Sequence, residues 1–378
     1  MQKKNISIML AMAFLQGMVF YCAIATLYRQ AAGISMVEMA LIESASLALS
    51  FVLEVPWGMA ADRLGYRRTM ILCSALFALS KVIFWQAKGF AMFLTERLLL
   101  SVVTSGLSGV DESILYLSCP KEKALRIFGL WNALGNAGLL MASLIYSLFI
   151  GEDYRLAALL TVIAYAMAAV LSLFLREVKP GDPSSRPALS FLRTSLRQIR
   201  SVRGLLPLVM AGALLGEAVH YATVFLSQLQ YIRCGLDSST IGLCFTLSTA
   251  MALAGPLSAP LTARLGKRRT GLLLMAGCSL CCILLAGSTS AWLSILCMMA
   301  LEAACALYNP LHAALENDLI RTDDRATALS CNALLSGGIG VMANMGFGGA
   351  ADASLPLALM ACALLCLAGT GCYAASTR

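Results

Sequence analysis

The chain has 378 residues, 59% of them hydrophobic and only 13% charged, with a mean hydropathy of +0.80. A water-soluble domain carries about 25% charged residues, so this composition excludes a soluble globular protein and points to the bilayer. The net charge of +8 would suit a nucleic-acid partner. The basic residues, however, stand in short clusters between apolar runs, as in a membrane protein fixing its orientation, so no nucleic-acid role is expected.

A bilayer crossing needs about 20 apolar residues in helical form. Such runs are predicted in the first half at 6–28, 37–57, 69–87, 90–115, 125–149 and 154–176. In the second half they fall at 204–230, 238–262, 270–288, 290–316, 325–350 and 354–375. The first run follows Lys3 and Lys4 like a signal peptide. It is longer than a signal's apolar region and further spans follow, so it reads as a retained first helix.

With the N-terminus inside, all 28 basic residues fall on the inner side except Arg29, Lys81, Lys88, Arg97, Arg155 and Arg233. That asymmetry predicts an even number of spans, with both termini cytoplasmic and the chain embedded as a multi-pass protein of the cytoplasmic membrane. The only sizeable polar stretch joins the halves. It opens with Lys179-Pro180-Gly181-Asp182-Pro183, and Leu189, Leu192, Leu196 and Ile199 then alternate with Arg193, Arg197 and Arg200. This pattern predicts an amphipathic helix on the inner membrane face.

An internal repeat relates the halves. Arg63-Leu64-Gly65-Tyr66-Arg67-Arg68-Thr69 returns as Arg264-Leu265-Gly266-Lys267-Arg268-Arg269-Thr270, and Asn132-Ala133-Leu134 as Asn332-Ala333-Leu334. The offset, about 200 residues, predicts a parallel repeat of six helices. The expected fold is therefore an all-α integral membrane protein, with 12 transmembrane helices in two pseudo-symmetric six-helix bundles. Residues 1–176 form the N-terminal bundle, 177–203 a cytoplasmic linker and 204–378 the C-terminal bundle.

Gly58-Met59-Ala60-Ala61-Asp62-Arg63-Leu64-Gly65-Tyr66-Arg67-Arg68 lies between the second and third spans. It resembles the signature loop of the major facilitator superfamily, Gly-x-x-x-Asp-Arg-x-Gly-Arg-[Arg/Lys], with Tyr66 where the signature has a basic residue. Ser105 to Tyr116 and Arg325 to Ser330 look like a bacterial, drug- or metabolite-transporter-like subgroup. The Gly-Pro pair typical of drug–proton antiporters is absent from the fifth span, which reads Gly135-Asn136-Ala137-Gly138. The resemblance implies a cytoplasmic gate made of Gly58, Asp62, Arg63, Gly65, Arg67 and Arg68. Asp111 and Glu112, at the inner end of the fourth span, are the expected partners of its arginines. In the second copy Ala263 replaces the aspartate, so only the first copy is complete.

Ionisable groups at mid-span cost about 2.5–3.5 kcal/mol on insertion scales and mark function by default. Glu217 lies midway along the seventh span, with His220 and Tyr221 at i+3 and i+4 and Gln228 further along. At helical spacing these form one polar stripe, expected to face the cavity and to exchange a proton or hold substrate. Glu302 in the tenth span, with Asn309 at i+7, is the second candidate. Gln16, Asn132, Asn136, Asn332 and Ser336 are expected to complete the polar lining. Lys81 is expected to snorkel to the interface, and Glu43, Glu96 and Arg97 to neutralise charge near the outer face.

Mid-membrane charge is thus acidic, which favours a cationic or neutral amphipathic substrate. The 14 cysteines lie almost entirely in apolar segments, and the Cys278–Cys281 pair has no second pair or histidine at zinc spacing, so no metal is expected. With no nucleotide-binding Gly-x-x-x-x-Gly-Lys motif and only His220 and His312 as histidines, neither a cofactor nor an enzymatic activity is expected. The reading is a secondary active transporter, monomeric, with protons, a small molecule and the lipid bilayer as partners. Proton-coupled export by antiport is the first choice; import by symport and a transport-inactive sensor on the same fold are the alternatives.

Overall fold

The computed structural model describes residues 2–120, 124–178, 204–319 and 325–377. Within them the chain is helical with no strand. That is what hydrocarbon demands of an open chain, because every backbone N–H and C=O must be satisfied within its own segment. The helices are α1 (Lys4–Ala31), α2 (Met36–Leu64), α3 (Tyr66–Gln86), α4 (Phe90–Ser118), α5 (Arg126–Ile150) and α6 (Tyr154–Ser172). They continue with α7 (Leu205–Arg233), α8 (Ser238–Leu265), α9 (Lys267–Gly287), α10 (Ala291–Leu319), α11 (Arg325–Ala353) and α12 (Leu355–Ser376). Among the described residues 11 helices are long and apolar enough to cross a membrane, and α11, at 29 residues, occupies the remaining place. The predicted amphipathic segment 186–203 lies outside the described residues.

The described residues divide into two compact units. One comprises Met1–Ile34, Ala45–Ser185 and Ser238–Leu243; the other comprises Ser35–Ser44, Arg186–Asp237 and Cys244–Arg378. The first packs α1 on α5 and α6, and α3 on α4 and α6. The second packs α7 on α11 and α12, and α9 on α10 and α12. Each pairing recurs six helices later, which is the sequence repeat expressed as packing.

Helix starts follow ordinary capping chemistry. Ser35 and Glu38 form a reciprocal capping box ahead of α2 (2.8 and 3.2 Å), and Asp352 accepts from the N–H groups of Met36 and Val37 at 2.8 and 3.1 Å. Asp153 and Ser354 cap α6 and α12.

Several spans are not continuous α-helix. α1 unwinds over 18–21 and re-forms after a 3₁₀ turn at Cys22–Ile24. The freed backbone finds side chains of α6: Phe20 N donates to the Thr161 hydroxyl (3.0 Å), and the Tyr165 hydroxyl donates to Gln16 O (2.6 Å). α4 breaks at Ser108-Gly109 and resumes at Val110. α5 ends in a π-helical turn, Tyr146–Ile150, and α7 contains another, Tyr221–Leu226. Such turns leave one residue per turn out of the usual register and cluster at functional sites.

Candidate functional site

The signature segment folds differently from the loop expected of it. α2 runs through to Leu64 and α3 starts at Tyr66, leaving Gly65 as the sole non-helical residue between them. Gly65 has φ +86°, where a side chain is strained, and a Cβ there would meet the Glu177 carboxylate at 3.1 Å. Gly266 repeats the geometry between α8 and α9 with φ +82°. Thr69 and Thr270 then each donate to the glycine carbonyl at 3.0 Å. The two copies differ in surroundings, since nothing lies within 4 Å of a Cβ at Gly266. Gly65→Ala is therefore expected to lower the unfolding midpoint in detergent more than Gly266→Ala. The φ penalty of about 1–2 kcal/mol is common to both, and displacement of Glu177 is added only at Gly65.

Arg67 does not pair with Asp111 or Glu112, the partners expected from sequence. Its Nε donates to Leu175 O (2.6 Å) and its Nη2 to Leu173 O (3.0 Å), while its backbone N–H donates to Glu177 Oε1 (3.1 Å). The carbonyls following α6 are unsatisfied helix-end acceptors carrying the negative end of the dipole, and a guanidinium fits them. Asp111 and Glu112 instead occupy the first turn of the resumed helix after Gly109, where carboxylates are favoured, and Asp111 Oδ1 accepts from Glu112 N at 2.7 Å. Arg63 and Arg68 are exposed. The side chains of Gly58 and Asp62 lie outside the described residues.

In the second unit, α7 organises two carboxylates. Glu217 is half-buried, and its Oε1 rests on Gly340 of α11, where a Cβ would approach to 2.7 Å. Glu43, at the start of α2, acts on it electrostatically. One turn further on, the π-helical segment places Thr223 in hydrogen bond with Glu302 of α10. Both carboxylates thus meet α7 on either side of its irregular turn. Glu302 is half-buried and Asn309 exposed, with the Asn309 amide 3.8 Å from Cys305 Sγ between them.

The expected stripe along α7 separates into different environments. His220 is exposed and lies edge-on to Phe225. Tyr221 is 1% exposed, stacked between Phe225 and Phe347 at 5.1 and 4.6 Å. Its hydroxyl has no hydrogen-bond partner among the described residues. Gln228 is buried and donates to Val224 O within its own helix (3.1 Å). The extra residue of the π turn rotates everything after His220 relative to a regular 3.6-residue register, so positions that share a face on paper do not share one here.

In the first unit, Gln16 is half-buried beside the break in α1, and Asn132 and Asn136 are exposed on α5. α1 and α5 approach so closely that a Cβ at Gly138 would collide with Phe14 O. The side chains of Asn332 and Ser336 lie outside the described residues.

A polar centre that sequence reasoning missed lies nearby. Lys81 is buried rather than snorkelled: Nζ is 3.6 Å from Glu96 Oε1 and 3.1 Å from the Tyr21 hydroxyl, to which it donates. The rings of Phe77, Tyr165 and Tyr21 surround the ammonium at 5.2, 5.3 and 5.8 Å. Aromatic faces and a carboxylate together replace the water that the interface would have supplied. Only the aromatic spacing around α3 hinted at it. Among the described residues no cluster of three metal-ligating side chains occurs.

The model of the Major Facilitator Superfamily matches residues 6–237 and 233–376. The chain belongs to this superfamily. The solved structures agree on the fold. A nucleoside transporter, NupG (D323A mutant), superposes with a TM-score of 0.85 at 15% identity, covering 100% of both chains. A bacterial homologue of the human lysosomal transporter Spinster, inward-facing and unoccupied, gives 0.77 at 18% identity over 99% of this chain and 96% of that one. A D-xylose–proton symporter gives 0.73 at 12% identity over 96% of each. No curated protein sequence matches. This facilitator is thus a multi-pass membrane transporter of the secondary type and not an enzyme.

Proposed function

We propose that this facilitator moves a small neutral or cationic amphipathic molecule across the cytoplasmic membrane by alternating access, with Glu217 carrying the coupling proton. Glu302, held by Thr223 across the same irregular turn, is the second acidic group of the pathway. The observation that carries this reading is the seat of Glu217: a carboxylate on a membrane-spanning helix, set against a glycine whose missing side chain makes room for it. An ionisable group is costly at that depth, and close backbone approach at Gly340 lets the carboxylate be held without a permanent cation beside it. The proposal includes both termini in the cytoplasm, as the distribution of basic residues indicates, and a monomer as the working unit. Export by antiport is the preferred direction.

Import of a neutral polar metabolite by proton symport is the second reading, supported by a nucleoside transporter and a D-xylose–proton symporter among the fold neighbours. Proteoliposomes containing a pH dye separate the readings. Substrates from a panel of nucleosides, sugars and amphipathic cations are added outside. An antiporter is expected to alkalinise the lumen as substrate enters and protons leave. A symporter acidifies it. Saturable binding with no change in luminal pH for any member of the panel would contradict transport and leave the sensor reading.

A further inference from the structure

At the end of the first unit remote from the signature segment, where α3 finishes and α4 and α6 begin, lies a cleft of about 740 Å³. Trp85, Lys88 and Arg155 line it, and Met92, Leu156 and Leu159 form its apolar wall. An adjoining cleft of about 370 Å³ shares Lys88, Asp153 and Arg155 and adds Glu152. Two cations and two carboxylates therefore meet at one mouth, and all four are exposed.

This convergence is unexpected for this end of the molecule, which holds only six of the chain's basic residues. Of those six, Arg29 and Lys81 are buried in the bundle. Arg155 is steered by a hydrogen bond to the Tyr28 hydroxyl, which itself donates to Trp85 O at 3.1 Å. One oxygen of Asp153 is committed to capping α6 through Leu156 N (2.9 Å), leaving the other toward the cleft mouth.

What lies below the cleft narrows the occupant. Leu156, Ile163, Met167 and Val170 are exposed along α6 at spacings of seven, four and three, so they form one apolar track leading away from the charges. A free anion has no use for such a track, whereas an acyl chain does. The charges also balance. A net-anionic headgroup would meet Glu152 and Asp153 unfavourably, while a headgroup carrying both a phosphate and a primary ammonium satisfies both pairs.

We propose that this cleft is a specific seat for a zwitterionic aminophospholipid. The phosphate lies against Lys88 and Arg155, the ammonium against Glu152 and Asp153, with Trp85 at the headgroup level and an acyl chain along α6. Trp at the membrane–water boundary is the ordinary anchor for that depth.

Native mass spectrometry of the full chain in detergent, offered equal amounts of phosphatidylethanolamine, phosphatidylcholine and phosphatidylglycerol, tests this. The ethanolamine lipid is expected to be retained roughly fivefold over the other two, as one well-placed charge contact per headgroup group allows. The Lys88→Ala/Arg155→Ala protein is expected to lose all preference. Glu152→Gln, a mild change at an exposed position, is expected to shift retention toward the glycerol lipid, a reversal that misfolding would not produce. Equal retention of the three lipids by the wild type would overturn the proposal, as would an unchanged preference in Glu152→Gln. Displacement of bound lipid by excess inorganic phosphate would also overturn it, by making the cleft a free-anion site.

Discussion

Glu217→Gln is expected to abolish proton-driven accumulation of substrate while leaving exchange of labelled for unlabelled substrate across the vesicle membrane largely intact. Glutamine has nearly the shape of a protonated glutamate, so the contact with Gly340 is kept and the bundle is not opened. What is lost is the ability to release a proton. Exchange at equal substrate concentration needs only the loaded carrier to reorient, whereas accumulation needs the empty carrier to return in a different protonation state. Coupling free energies between two ligands of about 1–3 kcal/mol correspond to roughly 5–150-fold effects, so accumulation falling by at least about tenfold is the expected size. Gly340→Ala should mimic part of this by a different route: the added methyl enters the space of the carboxylate and displaces it, so exchange and accumulation fall together. Glu302→Gln is the useful contrast, since its amide can still accept from Thr223. If Glu217→Gln accumulates substrate as well as wild type, the carboxylate is a packing feature of α7 and α11, and the proposed coupling role is wrong.

Much of this architecture was readable because it is written in patterns that local physics enforces. The apolar runs mark the spans, and the spacing of Gly65 and Gly266 marks equivalent corners that share backbone angles and a threonine bond. The inner segment around Asp62 was legible as a motif but not as a shape. Its charges suggested a loop, yet the helix continues through them because nothing in Ala60 to Leu64 breaks it. The partner of Arg67 was illegible for another reason. Acids and basic residues in neighbouring inner segments look like pairs, but helix-end carbonyls carry no sequence signature and compete well for a guanidinium. The same limit explains Tyr221. A π turn is one inserted residue in the hydrogen-bond ladder, invisible in composition, and it turns a residue placed beside Glu217 into the core of an aromatic stack.

Breaking the Lys81–Glu96 pair from one side is expected to be the most destabilising single change away from the helix-packing glycines. The two side chains are 6% and 2% exposed, so neither can turn to water when its partner is removed. Leaving one buried charge unmatched costs about 3–5 kcal/mol, so Lys81→Met and Glu96→Gln should each depress the unfolding midpoint strongly. Replacing both at once is different, because a buried ion pair exchanged for apolar groups of similar volume is often neutral or stabilising. Lys81→Met/Glu96→Met should therefore recover most of the stability lost by either single change, giving a large non-additive term in the cycle. The functional readout should not recover with it. Lys81 also donates to Tyr21, which lies within the unwound stretch of α1 next to Gln16. The double variant keeps the fold but loses that hold on the break. Stability restored with transport still impaired would identify the pair as the anchor of the α1 break, whereas additive losses in stability would mean that Lys81 and Glu96 act independently. Full recovery of transport along with stability would mean instead that Thr161 and Tyr165 suffice to hold the unwound segment.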